Sequence, residues 1–133
     1  MRITVKTAIF TAVLPLVLSG PSMAQSIGGS QTAQPIGGAY RVSGTNFNGA
    51  KYVGTAQITL NNNSDCHITW VTGPQTSYGS CMRKGTVFAA GYIIGTAVGL
   101  VLYDLQPDGS LEGIWTVASQ PGAGTETLTP MRR

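Results

Sequence analysis

The sequence predicts an all-β protein, a small eight-stranded antiparallel up-and-down β-barrel, with a two-sheet β-sandwich as the alternative. Three observations carry this prediction. From Ala39 onward, apolar and polar residues alternate with the period of two that sends successive side chains to opposite faces of a strand. The breaks in the alternation fall on turn-forming residues, and no stretch of helical periodicity separates the strands. A meander of eight short strands can close on itself and so leave no unpaired edge.

The chain has 133 residues, and residues 1–24 have the layout of a secretory signal peptide. Arg2 and Lys6 precede an uncharged apolar run over 7–18, interrupted by Pro15, and the small residues Ser22 and Ala24 frame a cleavage site. Cleavage would begin the mature chain at Gln25 and deliver it, secreted or periplasmic, to an oxidising compartment. No Cys follows the cleavage site, so no lipid anchor is expected there. Residues 25–38 are rich in Gly, Gln and Ser, lack any period and read as a flexible leader. That leaves 39–130 as the barrel domain.

Tyr40 and Val42 alternate with Arg41 and Ser43 in the first strand. Asn46-Phe47-Asn48-Gly49 makes the first turn, with an Asn-Gly pair that tolerates positive φ. In the second strand Tyr52, Gly54, Ala56, Ile58 and Leu60 share one face, and Lys51, Thr55, Gln57 and Thr59 share the other. A polar turn over 61–65 leads to further strands at 66–72, 75–82, 86–94, 97–106, 110–118 and 125–129.

One hairpin can be registered from its turn. In Gln106-Pro107-Asp108-Gly109 the Pro is preset for the second turn position and the Gly for a left-handed residue after it. This is the type I turn plus bulge of a three-residue loop. It sets Leu105 opposite Leu111, Tyr103 opposite Gly113 and Val101 opposite Trp115 on the interior face, with Asp104 and Glu112 outward. A two-residue loop would bury Asp104 without a partner.

The run 87–103 is uncharged, and Gly91, Gly95 and Gly99 are spaced as in helix-packing motifs of membranes. It is at the short limit for a span, however, and its flanks alternate at period two. Gly95-Thr96 also falls where a hairpin turn is needed. Two buried strands are expected, with no stable membrane span.

Charge excludes other partners. In the expected mature chain Arg41, Lys51, Arg83, Lys84, Arg132 and Arg133 stand against Asp65, Asp104, Asp108, Glu112 and Glu126, a net charge of +1. That is no electrostatic case for nucleic acid or anionic lipid. The acids read as scattered over turns and outward positions, so no acid–base pair emerges. His67 is the one histidine, and alternation turns it away from Cys66, so the three or four converging ligands of zinc are missing. No Gly-rich phosphate loop joins a strand to a helix. Neither a catalytic residue nor a cofactor is expected.

Cys66 and Cys81 are the two cysteines, and a turn at Gly73-Pro74 places them directly across neighbouring strands. In an exported chain they are expected to form a disulfide. Tyr40, Tyr52, Trp70, Tyr103 and Trp115 all fall on the interior face. Either they line a ligand cavity in a barrel mouth or they fill the core, and filling is expected because eight strands leave little space inside. A binding surface is then expected on the loops 46–49, 61–65, 73–76 and 119–124.

Several stretches together resemble a known group. They are Tyr40-x-Val42-x-Gly44-Thr45-Asn46, Tyr52-x-Gly54-Thr55-Ala56-x-Ile58-Thr59 and Tyr103-x-Leu105-x-Pro107-Asp108-Gly109-Ser110-Leu111-x-Gly113-x-Trp115, with Gly124-Thr125-Glu126-x-Leu128-Thr129 at the end. The group consists of small exported bacterial β-barrel proteins, many uncharacterised and some labelled fibronectin-binding proteins. The resemblance spans 39–129 and rests on turn glycines and core aromatics, so it implies a fold and no catalytic residue. The group's usual motif has Gly where this chain has Cys81, which makes the disulfide a variation of this chain.

The function expected is that of an exported, non-enzymatic binding protein that contacts a host or envelope protein through its loops, in the manner of an adhesin. The alternatives are a lipocalin-like carrier of a small apolar ligand and a periplasmic inhibitor of a lysozyme-type hydrolase.

Overall fold

Strands form where the alternation predicts them, and each turn hands the chain directly to its neighbour. The computed structural model describes residues 35–62 and 65–132. The expected signal peptide, and the expected leader up to residue 34, lie outside the described residues. The strands are β1 (Gly38–Thr45), β2 (Lys51–Leu60), β3 (Cys66–Thr72), β4 (Gln75–Lys84), β5 (Val87–Ile94), β6 (Ala97–Leu105), β7 (Leu111–Val117) and β8 (Gly124–Pro130). Each pairs antiparallel with the next, and β8 returns to pair with β1, Leu128 lying across from Val42. The barrel is closed, so the sandwich alternative falls away.

Two kinds of turn set the registers. Gly73-Pro74, Gly85-Thr86 and Gly95-Thr96 are two-residue loops whose glycines have φ of 62°, 61° and 60°. Gly in the first central position suits a type II′ turn, whose twist matches that of the strands. The loops at 46–50 and 106–110 share a longer design. The N–H of Gly49 or Gly109 donates to the carbonyl of Asn46 or Gln106, at 2.9 and 3.0 Å. The side chain of Asn48 or Asp108 then accepts from the N–H two residues on. The expected pairing of Val101 with Trp115, Tyr103 with Gly113 and Leu105 with Leu111 is the observed one.

The barrel has two unlike ends. At one, here the base, the chain enters β1 and leaves β8, and the loops β2–β3, β4–β5 and β6–β7 turn. At the other, the mouth, lie the loops β1–β2, β3–β4, β5–β6 and β7–β8. Val42, Ile58, Ile68, Phe88, Leu111 and Leu128 are fully buried and pack the base half as an apolar core. Ile36 caps this core from below at 3 % exposure, and its carbonyl accepts a 2.6 Å hydrogen bond from the Tyr40 hydroxyl. The expected leader boundary is corrected here, because Ile36 is buried in the core and β1 already begins at Gly38. Leu60, expected inside, is exposed where β2 runs out at the base.

Cys66 and Cys81 face each other across β3 and β4 with Cα atoms 4.9 Å apart and sulfurs at bonding distance. This disulfide staples the base and belongs to the chemistry of an oxidising, non-cytoplasmic compartment. Replacing both cysteines by Ser is expected to lower stability by about 2–3 kcal/mol, because the bridge restricts the unfolded chain over a short loop. Urea melts of the variant and of the oxidised protein measure the difference. Thiol labelling of the unfolded, unreduced protein is expected to find no free sulfhydryl.

The outer surface is divided. On β4–β7, Tyr78, Met82, Ile93, Val98, Leu100, Leu102 and Ile114 are exposed. The pairing registers put Tyr78, Ile93 and Val98 in one row and Met82, Leu102 and Ile114 in another. Outward positions on β8 and β1–β3 are mostly polar, among them Thr127, Thr129, Arg41, Ser43, Thr55, Gln57 and His67. Among the described residues no helix is long and apolar enough to cross a membrane.

Candidate functional site

The mouth half of the barrel is built differently from the base. Its aromatic rings sit opposite glycines: Tyr52 across from Gly44, Tyr92 from Gly99, and Trp115 from Gly124. A Cβ on any of these glycines would overlap the facing ring. Each ring therefore lies over the neighbouring strand, along the wall rather than across the lumen. Small residues on the remaining walls, such as Ser77 and Gly79, add little volume.

The result is a cavity of about 400 Å³ opening at the mouth, lined by Tyr52, Trp70, Ser77, Tyr92, Trp115 and Glu126 among others. That volume lies within the range of small-molecule sites. The rings hold one another in place. Trp70 and Tyr92 meet edge to face at 5.4 Å, Tyr52 and Trp115 do so at 6.2 Å, and Phe47 of the β1–β2 loop packs on Trp115 at 4.7 Å.

Glu126 is the acid of this site. It projects inward from β8 and is 8 % exposed. Three donors converge on its carboxylate. The Tyr103 hydroxyl (2.5 Å) and the Trp70 Nε1–H (3.0 Å) donate to Oε1, and the Tyr52 hydroxyl (2.7 Å) donates to Oε2. Tyr103 is fully buried on the cavity floor and stacks on Phe88.

Burial pushes the Glu126 carboxyl above the usual carboxylate range, and the hydrogen bonds from Tyr103, Tyr52 and Trp70 offset only part of that rise. The tyrosines respond in the same direction. Desolvation, and then the Glu126 charge, push Tyr92 up to about 12 and raise Tyr52 and Tyr103 further. All three hydroxyls therefore stay protonated and available as donors.

The structure sorts the residues singled out from the sequence. Tyr52, Trp70, Tyr103 and Trp115 line the cavity; Trp70 and Tyr103 are at the same time buried members of the core, and Tyr52 and Trp115 pack against it. Tyr40 fills the core lower down, beside Ile36. Cys66 and Cys81 lie at the base, away from the cavity. Of the expected binding loops, 46–49, 73–76 and 119–124 surround the mouth, whereas the described residues of 61–65 (Asn61, Asn62 and Asp65) lie at the base. His67 is exposed on the outer surface. Among the described residues no group of His, Cys, Asp and Glu is placed to hold a metal ion.

The expectation that Glu126 points outward is also corrected. Its inward direction has a signal in the sequence, because Gly124, Glu126 and Leu128 share one parity and Thr125, Thr127 and Thr129 the other. Tyr92 and Ser77 were not singled out either, although both stand on the interior parity of their strands. Neither a protein-family model nor a curated protein sequence matches this chain, so the cavity and its buried acid carry the functional reading by themselves.

Proposed function

We propose that this protein is a non-enzymatic, exported binding protein that holds one small molecule in the mouth of its barrel. The observation that carries the reading is the aromatic-walled cavity with a hydrogen-bonded carboxyl group at its floor. Apolar walls with a few fixed polar groups are the usual make-up of a small-ligand site. Eight strands leave room for a single such ligand. Glu126 already accepts three hydrogen bonds and has no second acid or base beside it in the cavity lining, which suits recognition better than catalysis.

Both tryptophans of the chain line the cavity, so intrinsic fluorescence reports its occupancy. Screening small molecules by tryptophan quenching is expected to find saturable binders. Ser77→Trp, which places a large ring in the cavity, is expected to abolish their binding while the barrel stays folded by circular dichroism. Binders that remain after this substitution would move the site elsewhere.

A second reading, contact with a host or envelope protein, is favoured by one observation, the exposed apolar rows of β4–β7. Such a patch on a soluble surface marks an interaction site. Pull-down of an extracellular-matrix or envelope protein that is lost in Leu100→Glu would support it, and pull-down unaffected by that change would count against it.

A further inference from the structure

We propose that the ligand of the mouth cavity is a small organic cation, a protonated amine carried on an apolar or aromatic body. This rests on the small-ligand reading above and specifies its chemistry. Three independent features point the same way. Each group bonded to Glu126 places a hydrogen on its oxygens: two hydroxyls and an indole N–H. An ionised carboxylate is acceptor-only, so this arrangement matches the charged form. The walls add to the same sign, because the faces of Trp and Tyr rings carry negative potential and attract cations.

The third feature is what the cavity lacks. Its lining residues include one acid and no Lys, Arg or His. The groups facing Glu126 are Tyr52 from β2, Trp70 from β3, Tyr92 from β5 and Tyr103 from β6, with Trp115 on β7 and Ser77 on β4 nearby, and none is cationic. The nearest interior base on β4, Arg83, turns toward the base end. There its charge acts on Tyr40, and its Nε donates to the Gly85 carbonyl at 2.8 Å. The buried carboxylate thus has hydrogen bonds but no counter-charge from the cavity walls. A cation in the cavity would supply it, whereas an anion would be repelled by the ionised carboxylate and a neutral molecule would add no counter-charge.

Glu126 can also adjust its proton to the occupant. When the carboxyl is protonated at Oε2, the Tyr52 hydroxyl can accept that hydrogen and turn its own toward the Thr125 carbonyl, 3.5 Å away. The empty site can therefore hold a neutral acid, and an entering ammonium displaces the proton. It follows that amine binding releases a proton and weakens as pH falls through the Glu126 titration.

The test uses three probes of one shape: 2-phenylethylamine, 2-phenylethanol and 3-phenylpropionate. Each is titrated into the full mature protein at pH 7, with tryptophan fluorescence and calorimetry as readouts. The amine is expected to bind at least about tenfold tighter than the alcohol, consistent with an added ion pair and cation–π contacts, and the carboxylate is expected to bind weakest. Glu126→Gln keeps the size and an Oε1 acceptor for Tyr103 and Trp70, and it should abolish the preference for the amine. Wild-type affinity for the amine should fall on acidification while that for the alcohol does not, a measurement independent of any variant. If the alcohol or the carboxylate binds as tightly as the amine, the cation assignment is wrong and the small-ligand reading stands. If none of the three binds, both are overturned.

Discussion

Tyr103→Ala is expected to cost about 3–5 kcal/mol, the largest loss from any single truncation in the barrel. Tyr103 is fully buried, stacks on Phe88 at 5.8 Å and lies over Gly113 so closely that a Cβ there would overlap its ring. Its removal enlarges the existing cavity through the floor and takes one of three donors from the Glu126 carboxylate. Tyr103→Phe separates the two effects. It keeps the ring in place and should cost about 1–3 kcal/mol through the hydrogen bond lost from Glu126 Oε1, which then keeps only that from Trp70. Trp115→Ala should cost less than Tyr103→Ala, since Trp115 stands partly exposed at the rim. Urea melts of the three variants order these costs. A Trp115→Ala loss equal to that of Tyr103→Ala would mean a packed mouth rather than an open one.

The second large effect is a dependence of stability on pH whose sign is unusual for a carboxylate. Most acids gain an ion pair or hydrogen bonds in the folded protein and stabilise it above their titration. Glu126 is the opposite case, because burial raises its native pKa above the ordinary value of 4.5. Below that value both folded and unfolded chains are protonated, and the stabilising contribution is fully present. As pH rises, the unfolded chain releases its proton first, and the contribution is lost by the time the native carboxyl ionises. The ligand-free protein should therefore become less stable as pH rises from the ordinary carboxylate range through the native Glu126 titration. In Glu126→Gln this decline should vanish, so the variant gains on the wild type toward neutral pH. Thermal melts of both proteins from acid to neutral pH would show the two curves separating. Parallel curves would place the titration elsewhere.

Much of this architecture was legible because local chemistry and pairing agree along the chain. The Pro-Asp-Gly turn fixes the β6–β7 register down to Val101 opposite Trp115, and the Gly-Pro turn puts Cys66 across from Cys81. The cavity was harder to read. A period of two says that Tyr52, Trp70, Tyr103 and Trp115 point inward, but not whether the rings cross the lumen or lie along its wall. That depends on the residue across the strand pair, and the glycines opposite the rings become informative only once every register is known. Glu126 was missed for another reason. Its parity with Leu128 is plain in the sequence, but the general cost of burying a carboxylate argued for an outward position. The three donors that offset this cost come from β2, β3 and β6, distant in sequence, so no local pattern reveals them. Ile36 escaped notice because a single apolar residue in a Gly-rich segment has no period to belong to.

The seam between β1 and β8 gives the site a place in time. Glu126 sits on the last strand, and its partners Tyr52 and Trp70 are 74 and 56 residues away in the chain. Successive hairpins can zip from their own turns, whereas the seam joins the two ends of the domain and closes the longest loop in the fold. Before that event β8 can already lie on β7 with Glu126 near Tyr103, but the donors of Tyr52 and Trp70 cannot reach it. The full three-donor set around Glu126 thus depends on the seam, and on the proposed reading a molecule held by Glu126 would favour the closed barrel.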